Sequence, residues 1–367
     1  MKFRYLLLTF LSVLCACNGT DNENEEEHFQ DTGKGVFILN EGNYNSGNST
    51  LSYYRPDAKT VENGIFRRAN DRKLGDTGQS MTLYSNTLFI AMENSGIVWG
   101  IDAETFRVKG QLTAAQTEHM INPRFVHIVN EGKAYVSDLY SPYITIFNPT
   151  TFRPLGSIHT GQPSANGYSS TENMVQYGNR VFTNCWSYSN KILAIDTRTD
   201  EVTDSIVLGS WQPKSMIVDA RGKLWVLTDG GYHTGDESFG DNVPHLYRID
   251  AATLEIEQDQ ALDTDEAGVQ IAASPDKSVI YIVNNDIYRM GITDEHLPVR
   301  PFISAPTDSN GRRHKLYAIG VNPHNGEIYV ADAVDYAQSG TVYRYSAQGE
   351  LIDRFRTGIN PNGFAFK

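Results

Sequence analysis

Cysteine is scarce: the chain has 367 residues and three cysteines. Cys15 and Cys17 lie close to the start and Cys185 stands alone, so removal of the leader leaves no pair for an intrachain disulfide. Basic charge is short too. Lys and Arg number 31 against 44 Asp and Glu, a net charge of −13, and loss of Lys2 and Arg4 with a leader makes the remainder more acidic still. Nucleic-acid phosphates require a basic footprint, so that class of partner is excluded. No apolar run is long enough to span a bilayer: the longest, residues 5–14, is about half the ~20 residues that a crossing helix needs. Catalytic signatures are missing as well. There is no nucleophile elbow, no HExxH, no paired-cysteine metal spacing and no phosphate loop. Residues 229–242 carry many oxygens without the EF-hand order of ligands, and His119, His233 and His314 are scattered loop histidines. No catalytic residue, no metal site and no required cofactor is assigned.

What the N-terminus does contain is MKFRYLLLTFLSVLCAC, a basic start, an apolar stretch and small residues before Cys17. This reads as a secretory leader over residues 1–17. Leu14-Cys15-Ala16-Cys17 has the form of a bacterial lipobox, which makes Cys17 the acylated residue. Residues 18–34 are rich in acids, amides and glycine and nearly free of large apolar side chains, the composition of a flexible tether. Its Glu25-Glu26-Glu27 run resembles export signals of lipoproteins displayed on the outer face of the outer membrane. The expected location is therefore the outer membrane, held by lipid alone and facing the exterior.

Residues 35–367 carry a repeat of about fifty residues. Its most regular part is a short apolar strand with an aromatic at the second position. Phe37, Phe89, Tyr135, Phe182, Trp225, Tyr281 and Tyr329 recur at spacings of 52, 46, 47, 43, 56 and 48. A polar loop and a second strand follow each copy. Several second strands run into one type of reversal, seen at Asp102, Asn148, Asp196 and Asp250, where the side chain can bond the backbone two residues on. Helical periodicity is absent throughout. The pattern predicts an all-β fold, a seven-bladed propeller of four-stranded antiparallel blades. Nothing like a first strand precedes Val36, whereas Asn360-Pro361-Asn362-Gly363-Phe364-Ala365-Phe366 has the form of one and is followed by no repeat. The C-terminal strand is expected to complete blade one and close the ring.

In such a blade the link between second and third strands and the link to the next blade open on one face. Those links gather Asn40, Glu41, Asn43 and Tyr44, Asn94, Asp138 and Tyr140, Tyr168, Trp186 and Tyr188, Trp211, Tyr232, Asn284, Asp332 and Tyr336. An aromatic and amide face suits a large planar ligand, because rings stack on it and amides fix its orientation. Each residue also has a plainer reading as a cap on the blade beneath it.

The opening VFILNEGNYNSGNSTLSYY, the acidic leader and the seven repeats resemble the YncE-like seven-bladed propeller lipoproteins, in particular the BtuG-type surface proteins. That resemblance implies capture of cobalamin or another corrinoid on the loop face and delivery to a TonB-dependent outer-membrane transporter, without catalysis. It implies that these aromatics and amides meet the corrin, with Arg124, Lys214, Arg312 or Arg313 near its phosphate. Two alternatives stay open: a lactonase-type propeller enzyme, and a surface module for protein or glycan.

Overall fold

The computed structural model describes residues 34–161, 170–231, 243–262, 270–308 and 311–367. The leader with Cys17, most of the tether, Tyr168, Tyr232 and His233 lie outside the described residues. Seven antiparallel sheets succeed one another along the chain. Blade one holds Pro361–Phe366, Val36–Asn40, Thr50–Arg55 and Thr60–Asn63, in that order from the channel outward. The C-terminal strand therefore lies innermost in the first blade, paired Val36 to Phe366 through Leu39 to Gly363, as the sequence predicts.

Seven buried apolar clusters lie one at each seam between neighbouring blades, and each contains one of the seven repeating aromatics. Phe37 fills the seam from blade one to blade two; Tyr329 fills the seam from blade seven back to blade one, among Val36, Ile38 and Tyr54. All seven are at most 3% exposed. The period in the sequence is thus the period of the packing: each blade contributes one large side chain to the gap beside it. The polar reversals act as their residue types require. Oδ1 of Asp102 accepts the N–H groups of Glu104 and Thr105 at 3.0 and 2.9 Å, and Asp250 and Asn148 do the same in their turns. These turns end on Phe106, Phe152 and Leu254 at φ near +60°, a conformation unfavourable for a bulky residue. Phe106 and Phe152 are buried there, so packing compensates the strain.

The structure departs from expectation at two places. A short helix, Ile65–Asn70, joins blades one and two; six residues are too few for a periodic signal to appear. Among the described residues blade six has three strands, Gln270–Ala273, Val279–Asn284 and Asp286–Gly291, where the sequence predicts four. Its outer position is taken by Phe302 and Ile303, whose backbone groups bond those of Ile287. Pro298 and Pro301 precede that bridge, and proline cannot donate to a ladder.

Candidate functional site

At the loop face each innermost strand begins with a polar residue in the same register: Gln79, Arg124, Asn173, Lys214, Gln270, Tyr317 and Asn362. Strand twist brings all seven to a central cavity of about 730 Å³. Between them lie Glu41 and Glu93, at the ends of second strands, and Glu172, just ahead of Met174–Tyr177. The result is an ionic ring at the channel mouth. Arg124 joins two carboxylates, donating from Nε to Glu172 Oε2 at 2.7 Å and from a terminal nitrogen to Glu93 Oε2. Burial disfavours its charge, but Glu172 and Glu93 outweigh that and raise its pKa. Burial pushes Glu172 up to about 7 against the pull of Arg124. Glu41 is likewise raised by burial, although the Tyr317 hydroxyl donates to its Oε2 at 2.8 Å. Among the described residues no group of three His, Cys, Asp or Glu side chains converges to hold a metal ion.

Of the loop residues singled out in the sequence, Glu41 and Trp186 line this cavity. Tyr44, Tyr140 and Tyr336 stand on the rim, 63%, 42% and 42% exposed. The ring of Tyr336 meets that of Tyr317 edge-on at 5.5 Å, so rim and channel are in contact. Trp186 donates from Nε1 to Asp229 at 3.1 Å. Tyr188 and Trp211 are half-buried.

Other members of that set are turned inward. Asn40, Asp332, Asp138 and Asn284 are at most 2% exposed. Asp138 accepts four backbone N–H groups, from Ile121, Asn122, Tyr140 and Ser141, and so shapes the loop that carries Tyr140. Asp332 pairs with His314 and accepts the N–H of Val334. The polar loop of residues 40–50 is a clasp over the closure of the ring. Asn43 donates to Tyr336 O at 2.6 Å on blade seven, and Asn45 accepts from Asn94 at 2.9 Å on blade two. The N–H of Glu41 donates to Asn360 O at 2.8 Å. Asn40 Nδ2 donates to Ser52 Oγ at 2.9 Å while its Oδ1 accepts the N–H of Gly358 at 3.0 Å. Asn40→Ala is therefore expected to cost about 2–3 kcal/mol, because buried partners lose their bonds. Denaturant unfolding measures this, and a change below about 0.5 kcal/mol would contradict a clasp role.

Glu93, Glu172 and Tyr317 were not singled out from the sequence. A signal for part of the ring did exist, since a polar residue opens every innermost strand at one register position. Arg124 and Lys214 do face the channel, and Arg124 is already occupied by two carboxylates.

Fold and channel together define a seven-bladed propeller with a charged central cavity open on its loop face. Residues 34–366 match the model of the family described as Domain of unknown function (DUF5074), and the chain belongs to that family. No curated protein matches the sequence. Among solved structures, a quinonprotein alcohol dehydrogenase-like protein from Bacteroides thetaiotaomicron is 16% identical, with TM-score 0.67 over 90% of this chain and 77% of its own. A candidate 6-phosphogluconolactonase from Bacteroides fragilis is 13% identical, TM-score 0.65, over 92% and 98% of the two chains. Another from Bacteroides uniformis is 15% identical, TM-score 0.61, over 91% and 99%. At these identities the likeness is one of fold.

Proposed function

We propose that the protein is a lipid-anchored outer-membrane protein that captures cobalamin or a related corrinoid on the loop face and passes it to a TonB-dependent transporter, with no chemical step. The observation that carries this reading is the exposed rim of Tyr44, Tyr140 and Tyr336 around a wide cavity mouth. Tyr84 and Tyr177 are exposed as well, but they close innermost strands at the far end of the blades, whereas the three rim tyrosines share the cavity mouth and offer it ring surface for stacking. A clasped rim loses little entropy on binding, which favours affinity without covalent chemistry. The resemblance to corrinoid-binding propeller lipoproteins supplies the ligand class. Cys17 would carry the lipid, and residues 18–34 would tether the ring near its transporter.

Calorimetric titration with cyanocobalamin tests the proposal. Stoichiometric binding is expected, weakened about tenfold or more by Tyr44→Ala, the loss of one stacking contact. An absence of heat and of thermal stabilisation would withdraw the ligand.

One observation favours a second reading. Glu172, raised to about 7 by burial, lies in the range of a general acid or base, and lactonase-type propellers share the fold. Acid release from 6-phosphogluconolactone, abolished by Glu172→Gln, would support it.

A further inference from the structure

A second cavity, of about 280 Å³, opens on the loop face where the clasp meets the link from blade one to blade two. It shares no lining residue with the central cavity. Residues 47–50 of the clasp wall one side, and Gly64, Arg67 and Lys73 wall the other. Its floor is the surface of the core at the seam of blades one and two, at Leu51, Phe66 and Leu74. A Cβ added at Gly47 or Gly64 would meet nothing within 4 Å, so no neighbouring side chain fills the space there. The volume is roughly twice that of an apolar cavity of ~150 Å³ that takes up benzene.

The charge at this cavity runs against that of the chain. The link, residues 64–75, carries four cations, Arg67, Arg68, Arg72 and Lys73, and one acid, Asp71, in a protein of net charge −13. Two of the four are engaged: Arg68 pairs with Glu62 at 2.8 Å, and Arg72 lies over the Trp99 ring at 4.4 Å. The two that line the cavity, Arg67 and Lys73, are exposed and form no ion pair among the described residues. Asp76, just beyond the link, is spent on the clasp, where it accepts the N–H groups of Asn45 and Gly47, each at 3.1 Å. A bare inorganic anion gains little here, since charges that stay in water attract weakly. A neutral apolar molecule leaves the cations unused. An anion with an apolar body gains on both counts, because it covers the floor and brings its charge beside Arg67 and Lys73. The acidity of the rest of the molecule opposes this only weakly, because salt screens charges beyond about 10 Å.

We infer that this cavity is a binding site for an apolar monocarboxylate, its hydrocarbon body against the floor and its carboxylate at the mouth beside Arg67 and Lys73. The site is separate from the channel and does not depend on the corrinoid reading. Its walls already meet through the bond from Ser49 N–H to Gly75 O at 3.2 Å, so a bound ligand holds clasp and link together and raises the melting temperature.

Titration calorimetry with sodium octanoate tests the assignment, beside acetate, octan-1-ol and octylammonium chloride. Octanoate is expected to bind stoichiometrically, about tenfold or more tighter than acetate, which lacks the body, and than octylammonium, which carries the wrong charge. Arg67→Gln combined with Lys73→Gln should weaken octanoate about tenfold and leave octan-1-ol unchanged; both side chains are exposed, so the fold tolerates the change. No octanoate binding, equal binding of acetate or octylammonium, or undiminished octanoate binding by the double variant overturns the inference. A photoreactive octanoate bearing a diazirine then places the ligand: label on residues 47–51 or 64–74 sustains the site, and label confined elsewhere overturns it.

Discussion

A chain ending at residue 359 is expected to show no cooperative thermal transition where the full chain melts as one unit. The reason lies in what the last strand touches. Pro361–Phe366 supplies the innermost strand of blade one, paired along Val36–Asn40, five residues that are all buried. Its removal leaves that buried strand as an open edge. Phe364 and Phe366 pack on Tyr329 with ring centroids 6.0 and 5.4 Å apart, in the seam that joins the last blade to the first. Asn360, held at φ +51°, accepts the N–H of Glu41 and donates from Nδ2 to Gly42 O at 2.9 Å, so the clasp loop goes with it. Both rings are half-buried, so loss of each costs less than the about 3–5 kcal/mol of a fully buried Phe. Two of them, a ladder and a clasp together reach the whole stability of an ordinary domain, about 5–15 kcal/mol. Circular dichroism and calorimetric melting check this. A truncated chain that melts like the full one would mean that the ring does not depend on its closing strand.

That closure was legible because it is a counting argument. Seven aromatics in register set the number of blades, and a repeat that lacks its first strand together with a strand that lacks its repeat makes one sheet. Local chemistry was legible where it stays local, as in the turns at Asp102 and Asp250, whose partners lie two and three residues away. The channel was not. Arg124 meets Glu93 at a separation of 31 residues and Glu172 at 48, and no spacing within one repeat announces a contact across three blades. Polar loop residues posed a different difficulty. Asn43 and Asn40 lie three positions apart; one bonds Tyr336 O at the surface and the other is buried against Ser52 and Gly358. A sequence records that an amide is present, while its hydrogen-bond partners decide whether it is offered to a ligand or consumed by the fold.

Arg124→Met is expected to be the most damaging single substitution at the channel mouth, and its effect should depend on pH. The side chains of Arg124, Glu93 and Glu172 are 12%, 9% and 5% exposed, so removal of the guanidinium strands two carboxylates away from water. Breaking a buried pair from one side costs about 3–5 kcal/mol. The direction with pH follows from Glu172. Its folded pKa, raised by burial to about 7, exceeds the ordinary 4.5, so the folded state keeps a proton that the unfolded state has released. Stability from this group is fully present below about pH 4.5 and is lost as pH rises through about 7. Arg124 is the chief force holding that pKa down. Without it the carboxyl stays protonated to higher pH and the loss on ionisation grows. The variant should therefore lie nearest the native protein at about pH 5 and furthest from it at about pH 8. Urea unfolding at the two pH values measures the difference, and adding Glu172→Gln to Arg124→Met should recover part of the loss at the higher one. An equal deficit at both would mean that the guanidinium acts through packing, with its charge contributing little to the ring.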